Sequence, residues 1–359
     1  VTSAAPSRVL SAGDPELART LRVALSGVDA PDVVLAHTRH GLRTVVTGGT
    51  GPPPAAPTAP RAELRYELGS VTKTLTGLLL AELTQRGLVR RTDPVLARLP
   101  AALALSAPPD RHRDAATLLH LITHTAGLPR LPRDFWAQAL PRLRTNPYAA
   151  YPRERLLEAF VRGSGPRRAP GSRWHYSNYG VALLGQALAT ATGTPYEQLL
   201  ARWVLEPLGL RATGCAPRGP HADATGHGRD GRTALPPFDA GGFAASAGVR
   251  STPEDLLRLL EAHLRPEENA PELGEALLAV REPMLHRGWR HRHTHTLTWF
   301  RHLTDRGPLY FHSGATMGQE AFLGFRPATG TALAALATRR YARSGALAPT
   351  AYRLLTEGA

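Results

Sequence analysis

The chain has 359 residues, enough for a large core and one or two domains. Hydrophobic residues make up 42% and charged residues 20%, and no apolar run approaches the roughly 18 residues of a membrane-spanning helix. The formal charge of +14 reads first as a genome-wide drift toward arginine, alanine, glycine and proline codons, with attraction to an acidic partner such as an acidic carrier protein as the functional alternative. No basic tract or nucleic-acid-binding signature accompanies it, so neither nucleic acid nor membrane is expected as a partner.

The opening stretch, "VTSAAPSRVLSAGDPELART", lacks a basic start followed by an apolar core. No export signal is expected from it, and the cytoplasm is the expected location. Val1 reads as a literal GUG start, with a trimmed mature chain as the rival explanation. Asp32 to Thr47, "DVVLAHTRHGLRTVVT", holds two β-branched runs around "RHG" and predicts a β-hairpin. A Gly/Pro loop follows from Gly48 to Pro60. From Ser70 the spacing of Leu75, Leu78, Leu79 and Leu83 predicts a helix that Gly87 ends. Further helices are predicted over 115–123, 153–161, 179–192 and 196–205, with Gly193 as a natural stop after the third. "STPEDLLRLLEAHL" from Ser251 starts another, with Pro253 near its first position and acids in its first turn. The last third changes character: "PLYFHSG", "EAFLGFRP" and "TALAALATRR" are short strand-like runs. Strands at both ends and helices between them predict an α/β (α+β) fold, a sheet built from both termini with a helical domain inserted. The expected division is residues 1–64 with 245–359 for the sheet domain and 65–244 for the helical one. Cys215 is the only cysteine, so no internal disulfide is possible; it reads as an incidental loop thiol and fits a reducing compartment.

Three stretches carry chemistry. Ser70 and Lys73 stand at i and i+3 on one helix face. A serine hydroxyl needs a base within hydrogen-bond reach, and a lysine serves only if burial or a helix N-terminus lowers its pKa. Lys73 is the only lysine in a chain that otherwise uses arginine. Arginine cannot give up its proton, so this position reads as one that needs an amine able to be neutral. The second stretch, "WHYSNYG", places Tyr176, Ser177 and Asn178 before a helix. A tyrosine takes a proton when cations lower its pKa, and Asn178 offers a donor and an acceptor to a substrate amide and to Lys73. A plain helix cap is the structural alternative. The third stretch, "YFHSGATMG", ends a strand with His312, Ser313 and Gly314. The glycine lets a substrate lie against the strand, and the next N–H, of Ala315, pairs with that of Ser70 as an oxyanion hole.

Together and in this order the three stretches resemble the serine β-lactamase and penicillin-recognising enzyme superfamily, whose class A pattern is Ser-x-x-Lys, Ser-Asp-Asn and Lys-Thr-Gly. "YSN" and "HSG" look like the class C branch, where tyrosine replaces the second-motif serine. Histidine in the third motif is similar to DD-peptidases and many esterases of that branch. "TLLHLITHTAGLPR", "YEQLLARWVLEPLGLRATG" and "FAASAGVRSTPEDLLRLL" resemble further segments of it. The resemblance implies an antiparallel sheet flanked by helices, with the active site in the cleft between the sheet domain and the helical domain. It implies that Ser70 is acylated, that Lys73 and Tyr176 shuttle the proton, and that Ser70 and Ala315 form the oxyanion hole. It further implies that Asn178, His312, Ser313 and Gly314 meet the substrate and that Phe243 lines the cleft. Arg301 is a candidate anchor for a substrate carboxylate.

Two rival sites are weaker. "AASAG" around Ser246 loosely matches a nucleophile elbow but lacks the strand before it. His291, His293 and His295 alternate and on a strand share a face that could bind metal, but flanking arginines oppose a cation. The expected protein is a serine acyl-enzyme hydrolase or acyltransferase with no metal and no cofactor. It acts on an ester or amide of a small or biosynthetic acyl donor, with water, an amine or an alcohol as acceptor. D-alanyl-D-alanine carboxypeptidase and class C-like β-lactamase are the alternatives, and a catalytically silent binding protein on the same fold is the reading from another class.

Overall fold

The computed structural model of the chain describes residues 8–9, 14–143, 145–287, 293–340 and 347–357. The strands are β1 (Arg8–Val9), β2 (Val33–Arg39), β3 (Leu42–Gly48), β4 (Tyr66–Glu67), β5 (Arg250–Ser251), β6 (Pro283–Arg287), β7 (His293–Thr296), β8 (Phe300–Thr304), β9 (Gly307–Ala315), β10 (Glu320–Arg326) and β11 (Thr331–Ala337). Nine of them form one antiparallel sheet in the order β1-β3-β2-β11-β10-β9-β8-β7-β6. The sheet therefore joins strands from 8–48 to strands from 283–337, and the intervening chain is mostly helical. The β2–β3 turn shows why the hairpin was legible: His40 and Gly41 take φ of 51° and 84°, the positive values that a two-residue hairpin turn requires.

Every residue of β10 and β11 is buried, because helices cover both faces of the sheet. Helix α1 (Pro15–Ser26) and the C-terminal helix α5 (Leu347–Glu357) cover one face, with Leu21, Leu25, Leu347 and Leu355 against Leu35, Phe322 and Leu333. Helices α2 (Thr72–Gln85), α3 (Asn178–Thr192) and α4 (Pro253–Leu264) belong to the larger core on the other. Buried on both sides, the central strands read as continuous apolar runs rather than as alternation.

Helix α2 is buried all round from Thr72 to Leu83, so its leucine spacing describes only part of its contact surface. Gly77 brings it against the loop before β8: a Cβ there would fall 2.5 Å from Thr298 Cβ. The Thr298 hydroxyl donates to the Lys73 carbonyl at 2.7 Å. Gly193, with φ of 65°, ends α3 as expected.

Several expectations are corrected. The helix predicted over 115–123 is confined to Leu118–Ile122, started by a Thr117–His120 capping box. Those over 153–161 and 196–205 are α-helical only through Glu158 and Leu200 and continue as π turns, Ala159–Gly163 and Ala201–Leu205. Sequence reasoning passed over α1 and α5, and β6 with β8, whose polar and basic composition hides the strand pattern.

Candidate active site

The cleft forms where the N-terminus of α2 meets the end of β9. Two glycines make that meeting possible. A Cβ on Gly314 would fall 2.1 Å from the Leu68 carbonyl oxygen and 2.7 Å from the Ser70 nitrogen. A Cβ on Gly69, whose φ is 50°, would fall 2.5 Å from the Ala315 carbonyl oxygen. Backbone therefore packs directly on backbone, and Ser70 and Ala315 line the same cleft of about 430 Å³.

Ser70 is partly exposed and Lys73 is buried. Lys73 Nζ lies 3.0 Å from Ser70 Oγ and donates to the Ser246 carbonyl at 2.8 Å. Burial, then the charge of Arg130, holds the Lys73 amine well below its ordinary pKa. Among the described residues no carboxylate forms an ion pair with it. The amine is thus placed and poised to accept the Ser70 proton. The Ser246 rival fails on the same contacts: its side chain is fully buried, its hydroxyl donates to the Phe243 carbonyl, and its own carbonyl anchors Lys73.

Tyr176 lines the cleft, with Lys73 Nζ 5.1 Å and the Arg130 guanidinium 5.9 Å from its ring centroid. The expectation that cations lower its pKa is corrected. Burial pushes the hydroxyl up to about 12, outweighing a hydrogen bond with Ser70 and the charge of Arg130. Tyr176 therefore rests as a phenol rather than a phenolate. Sequence reasoning missed what holds Tyr176. The His124 carbonyl accepts from His175 N–H at 2.8 Å, and His124 Nδ1 accepts from Ser177 N–H at 3.2 Å. One residue, in the left-handed region at φ 60°, grips both neighbours of the tyrosine.

Asn178 opens α3, and its Nδ2 donates to the Tyr148 hydroxyl at 3.2 Å. Among the described residues its Oδ1 is buried without a hydrogen-bond partner, an acceptor available to a donor in the cleft. Lys73 bonds to Ser70 and Ser246 rather than to Asn178. Ser313 and Gly314 line the cleft.

His312, Phe243 and Arg301 do not line it. Strand alternation sends His312 and Ser313 to opposite faces. His312 is buried against Phe300, donates from Nδ1 to the Ser313 carbonyl, and is pushed down to about 3 by burial and the charge of Lys73. It is a neutral wall behind the cleft. Phe243 is fully buried and packs on Phe135, Tyr148 and Tyr151. An aromatic ring with no polar handle gains most from full burial, and Phe243 thereby backs Tyr148, which with Phe238 and Met317 forms the apolar cleft wall. Arg301 lies on β8 opposite Thr294 and Tyr310, outside the cleft lining.

The frame of the cleft includes Glu67, another residue that no motif marked. Its carboxylate accepts from Phe238 N–H and the Thr316 hydroxyl and pairs with Arg250 at 3.4 Å. Since β4 pairs with β5, Glu67 ties the entry and exit of the helical segment to both walls. Of the three histidines considered for metal, His291 and the His293 side chain lie outside the described residues, and the His295 ring stands 5.5 Å from that of His124. Among the described residues no group of three or more His, Cys, Asp or Glu side chains is placed to hold a metal ion. Burial pushes the Cys215 thiol up to about 12, which disfavours the reactive thiolate. No helix among the described residues is long and apolar enough to cross a membrane.

The beta-lactamase family model matches residues 17–357. The chain belongs to the beta-lactamase family. It is 29% identical over 205 residues to the D-alanyl-D-alanine-carboxypeptidase/endopeptidase AmpH of Escherichia coli (strain K12), covering 57% of this chain and 50% of that protein. It is 31% identical over 205 residues to a beta-lactamase of the same strain, covering 56% and 48%. The chain thus spans about half the length of these curated relatives. Its fold is similar to that of a class C beta lactamase from Rhodobacter sphaeroides, with a TM-score of 0.76 at 21% identity, covering 96% of this chain and 99% of that one. The mixed α/β fold with an antiparallel sheet is therefore the one this family of β-lactamase-like serine hydrolases uses, and the Ser70–Lys73 pair stands where its helices meet that sheet.

Proposed function

We propose that the protein forms an acyl-enzyme on Ser70 and passes the acyl group of a small ester or amide to water, an amine or an alcohol. The observation that carries this reading is the buried Lys73 amine, 3.0 Å from the Ser70 hydroxyl and without a carboxylate partner among the described residues. Ser70 Oγ attacks the carbonyl carbon while its proton passes to Lys73 Nζ. The oxyanion develops against the N–H groups of Ser70 and Ala315. Tyr176 then relays the proton to the departing oxygen or nitrogen, and the bond to that atom breaks. The acceptor attacks the acyl-enzyme with its proton following the reverse route, and Ser70 is released. A preorganised base and two fixed donors address the charge that grows in each step.

Acyl transfer is the favoured form of this chemistry, because the cleft wall of Tyr148, Phe238 and Met317 suits an acceptor that displaces water. The +14 charge would steer a donor carried on an acidic protein, with a rate that falls as salt rises.

The test is to treat the protein with a fluorophosphonate and map the adduct, then to supply an activated acyl ester with a panel of amines and identify products by mass spectrometry. The adduct belongs on a Ser70 peptide and disappears in Ser70→Ala; an adduct on Ser246 overturns the assignment. Cleavage of a cephalosporin without transfer product would make the protein a β-lactamase. Release of D-alanine from an acylated D-Ala-D-Ala peptide would make it a carboxypeptidase.

A further inference from the structure

A second cavity, of about 290 Å³, lies outside the cleft and is lined by Arg167, Arg168, Arg173 and His175 together with Leu128 and Pro129. Among the described residues no acidic side chain lines it. The two chain segments that form it are pinned to each other through backbone. Arg167 N–H donates to the Gly127 carbonyl at 3.0 Å, Gly171 N–H to the Thr125 carbonyl at 2.8 Å, and His175 N–H to the His124 carbonyl at 2.8 Å. A Cβ on Gly127, whose φ is 74°, would fall 2.5 Å from the Arg168 carbonyl oxygen, so these backbones touch. The three exposed arginine side chains therefore start from fixed positions. Among the described residues no carboxylate forms an ion pair with any of the three. Other arginines of this chain are paired, such as Arg61 with Asp32 and Arg65 with Asp223. A larger cavity beside α1, α5 and the β2–β3 turn differs in this respect, because Arg39 and His40 share its lining with Asp14, Glu16 and Glu357.

We propose that this cavity is a binding site for the phosphate group of a ligand, held by Arg168 and Arg173 with Arg167 and His175 beside them. Like charges gathered in a concave site repel one another, and its walls limit the screening that water provides. A multiply charged anion removes that repulsion, so it is the ligand that gains most there. Guanidinium groups meet phosphate oxygens in bidentate pairs. A terminal phosphate presents three such oxygens to several arginines at once, where a carboxylate presents two. The cavity lies near the lower end of the roughly 300–1,000 Å³ of small-molecule sites, which suits a phosphate group with a short attached part rather than a long polyanion. The site is separate from the acyl-enzyme cleft and does not rest on that reading. It does adjoin the cleft: Pro129 and His175 line this cavity, and the residues that follow them, Arg130 and Tyr176, line the cleft. The phosphate group belongs either to a soluble phosphomonoester or to a phosphomonoester lipid headgroup, and the chemistry that recognises it is the same.

The probe is inorganic pyrophosphate, titrated by calorimetry into the full chain without added metal, at a constant ionic strength of about 0.15 M. A single saturable site is expected. Arg168→Gln with Arg173→Gln should weaken binding by about tenfold or more, the loss that follows when charge-assisted hydrogen bonds are removed. Arg168→Lys with Arg173→Lys keeps the charge without the fork and should fall between this pair and the wild type. Arg19→Gln with Arg111→Gln removes the same charge from exposed positions elsewhere and should change the affinity by less than about threefold, since distant charges are screened. Malonate, an anion without a phosphate group, should bind at least about tenfold more weakly than pyrophosphate. Two further arms identify the source of the phosphate: calorimetry with phenyl phosphate, and sedimentation with phosphatidylcholine vesicles with and without phosphatidic acid. Binding that depends on Arg168 and Arg173 marks a soluble ligand in the first arm and a lipid headgroup in the second, and either supports the proposal. Pyrophosphate that does not saturate, malonate that binds as tightly, or an equal loss in both glutamine pairs overturns it, because the charge then acts only as a diffuse field. Ser70→Ala should bind pyrophosphate as the wild type does, so failure of the acyl-enzyme reading and failure of this one are told apart.

Discussion

A lysine that must be neutral can be recognised by what replaces it badly. In this cleft the Lys73 amine is held down by burial and by Arg130 while Tyr176 is pushed up to about 12, so the proposed mechanism gives the two groups separate roles. The sign follows. Lysine is an effective base above its lowered pKa, and the activity it supports is lost as pH falls through that value. Tyr176 remains a protonated relay until pH approaches about 12. The profile of kcat/KM against pH should therefore rise to a plateau and show no alkaline fall below about pH 11. His312, pushed down to about 3, should add no ionisation near neutrality. Lys73→Arg keeps the charge and loses the base, and it should cost on the order of 10²–10⁴ in kcat, about as much as Lys73→Ala. If Lys73→Arg retained more than a tenth of the wild-type rate, the base would have to be another group.

The contact that shapes the site belongs to two elements, the turn into α2 and the end of β9. Gly314 and Gly69 let these backbones touch. Adding one methyl at Gly314 would place carbon 2.7 Å from the Ser70 nitrogen, so the strand must move away from the helix. Gly314→Ala should lower kcat by about 10²–10³, the loss associated with one misplaced oxyanion donor. Circular dichroism and thermal melting should show the fold retained, and stopped-flow labelling with a fluorophosphonate should slow in parallel. A variant that reacts at the normal rate would mean that the hole does not depend on this close approach. The same elements show where the sequence misled. "HSG" marks the strand end correctly, but only alternation on β9 reveals that Ser313 enters the cleft while His312 lies behind it.

For the whole molecule, buried neutral histidines set a limit on acid stability. His124, His263 and His312 are all held below the ordinary histidine value, chiefly by burial. Their neighbours add to it: His295, Lys73 and His312 act on His124, Arg281 on His263, and Lys73 on His312. The unfolded chain takes up protons at these groups near pH 6.5 and the folded chain does not. Their stabilising contribution is present above that pH and is lost as pH falls toward the folded values. Each contributes a slope of up to about 1.4 kcal/mol per pH unit, so three give about 4 kcal/mol per unit below pH 6. Denaturant unfolding between pH 7.5 and 5 should show this decline, and His263→Gln, far from the cleft, should flatten it by about a third. A stability that stays level to pH 5 would show that these rings accept protons in place.

Much of the site was legible because catalysis demands residue types that little else demands. A lone lysine three residues after a serine, a tyrosine with an asparagine two residues on, and a glycine ending a strand all announce themselves locally. The hairpin and the long helices were legible for a similar reason, since turn chemistry and leucine spacing act over a few residues. Arg130, Tyr148, Phe238, His124 and Glu67 were not marked in advance. Arginine, tyrosine and phenylalanine serve equally on surfaces and in cores, and only packing decides which face a cavity. Phe243 and Phe238 differ by five positions, yet one is sealed among aromatic rings and the other lines the cleft. Sequence by itself determined the family of folds and set Ser70 and Lys73 one turn apart at the start of a helix. Tertiary structure decided the protonation of Tyr176 and the burial of His312, because each depends on desolvation and on neighbours brought together from distant parts of the chain.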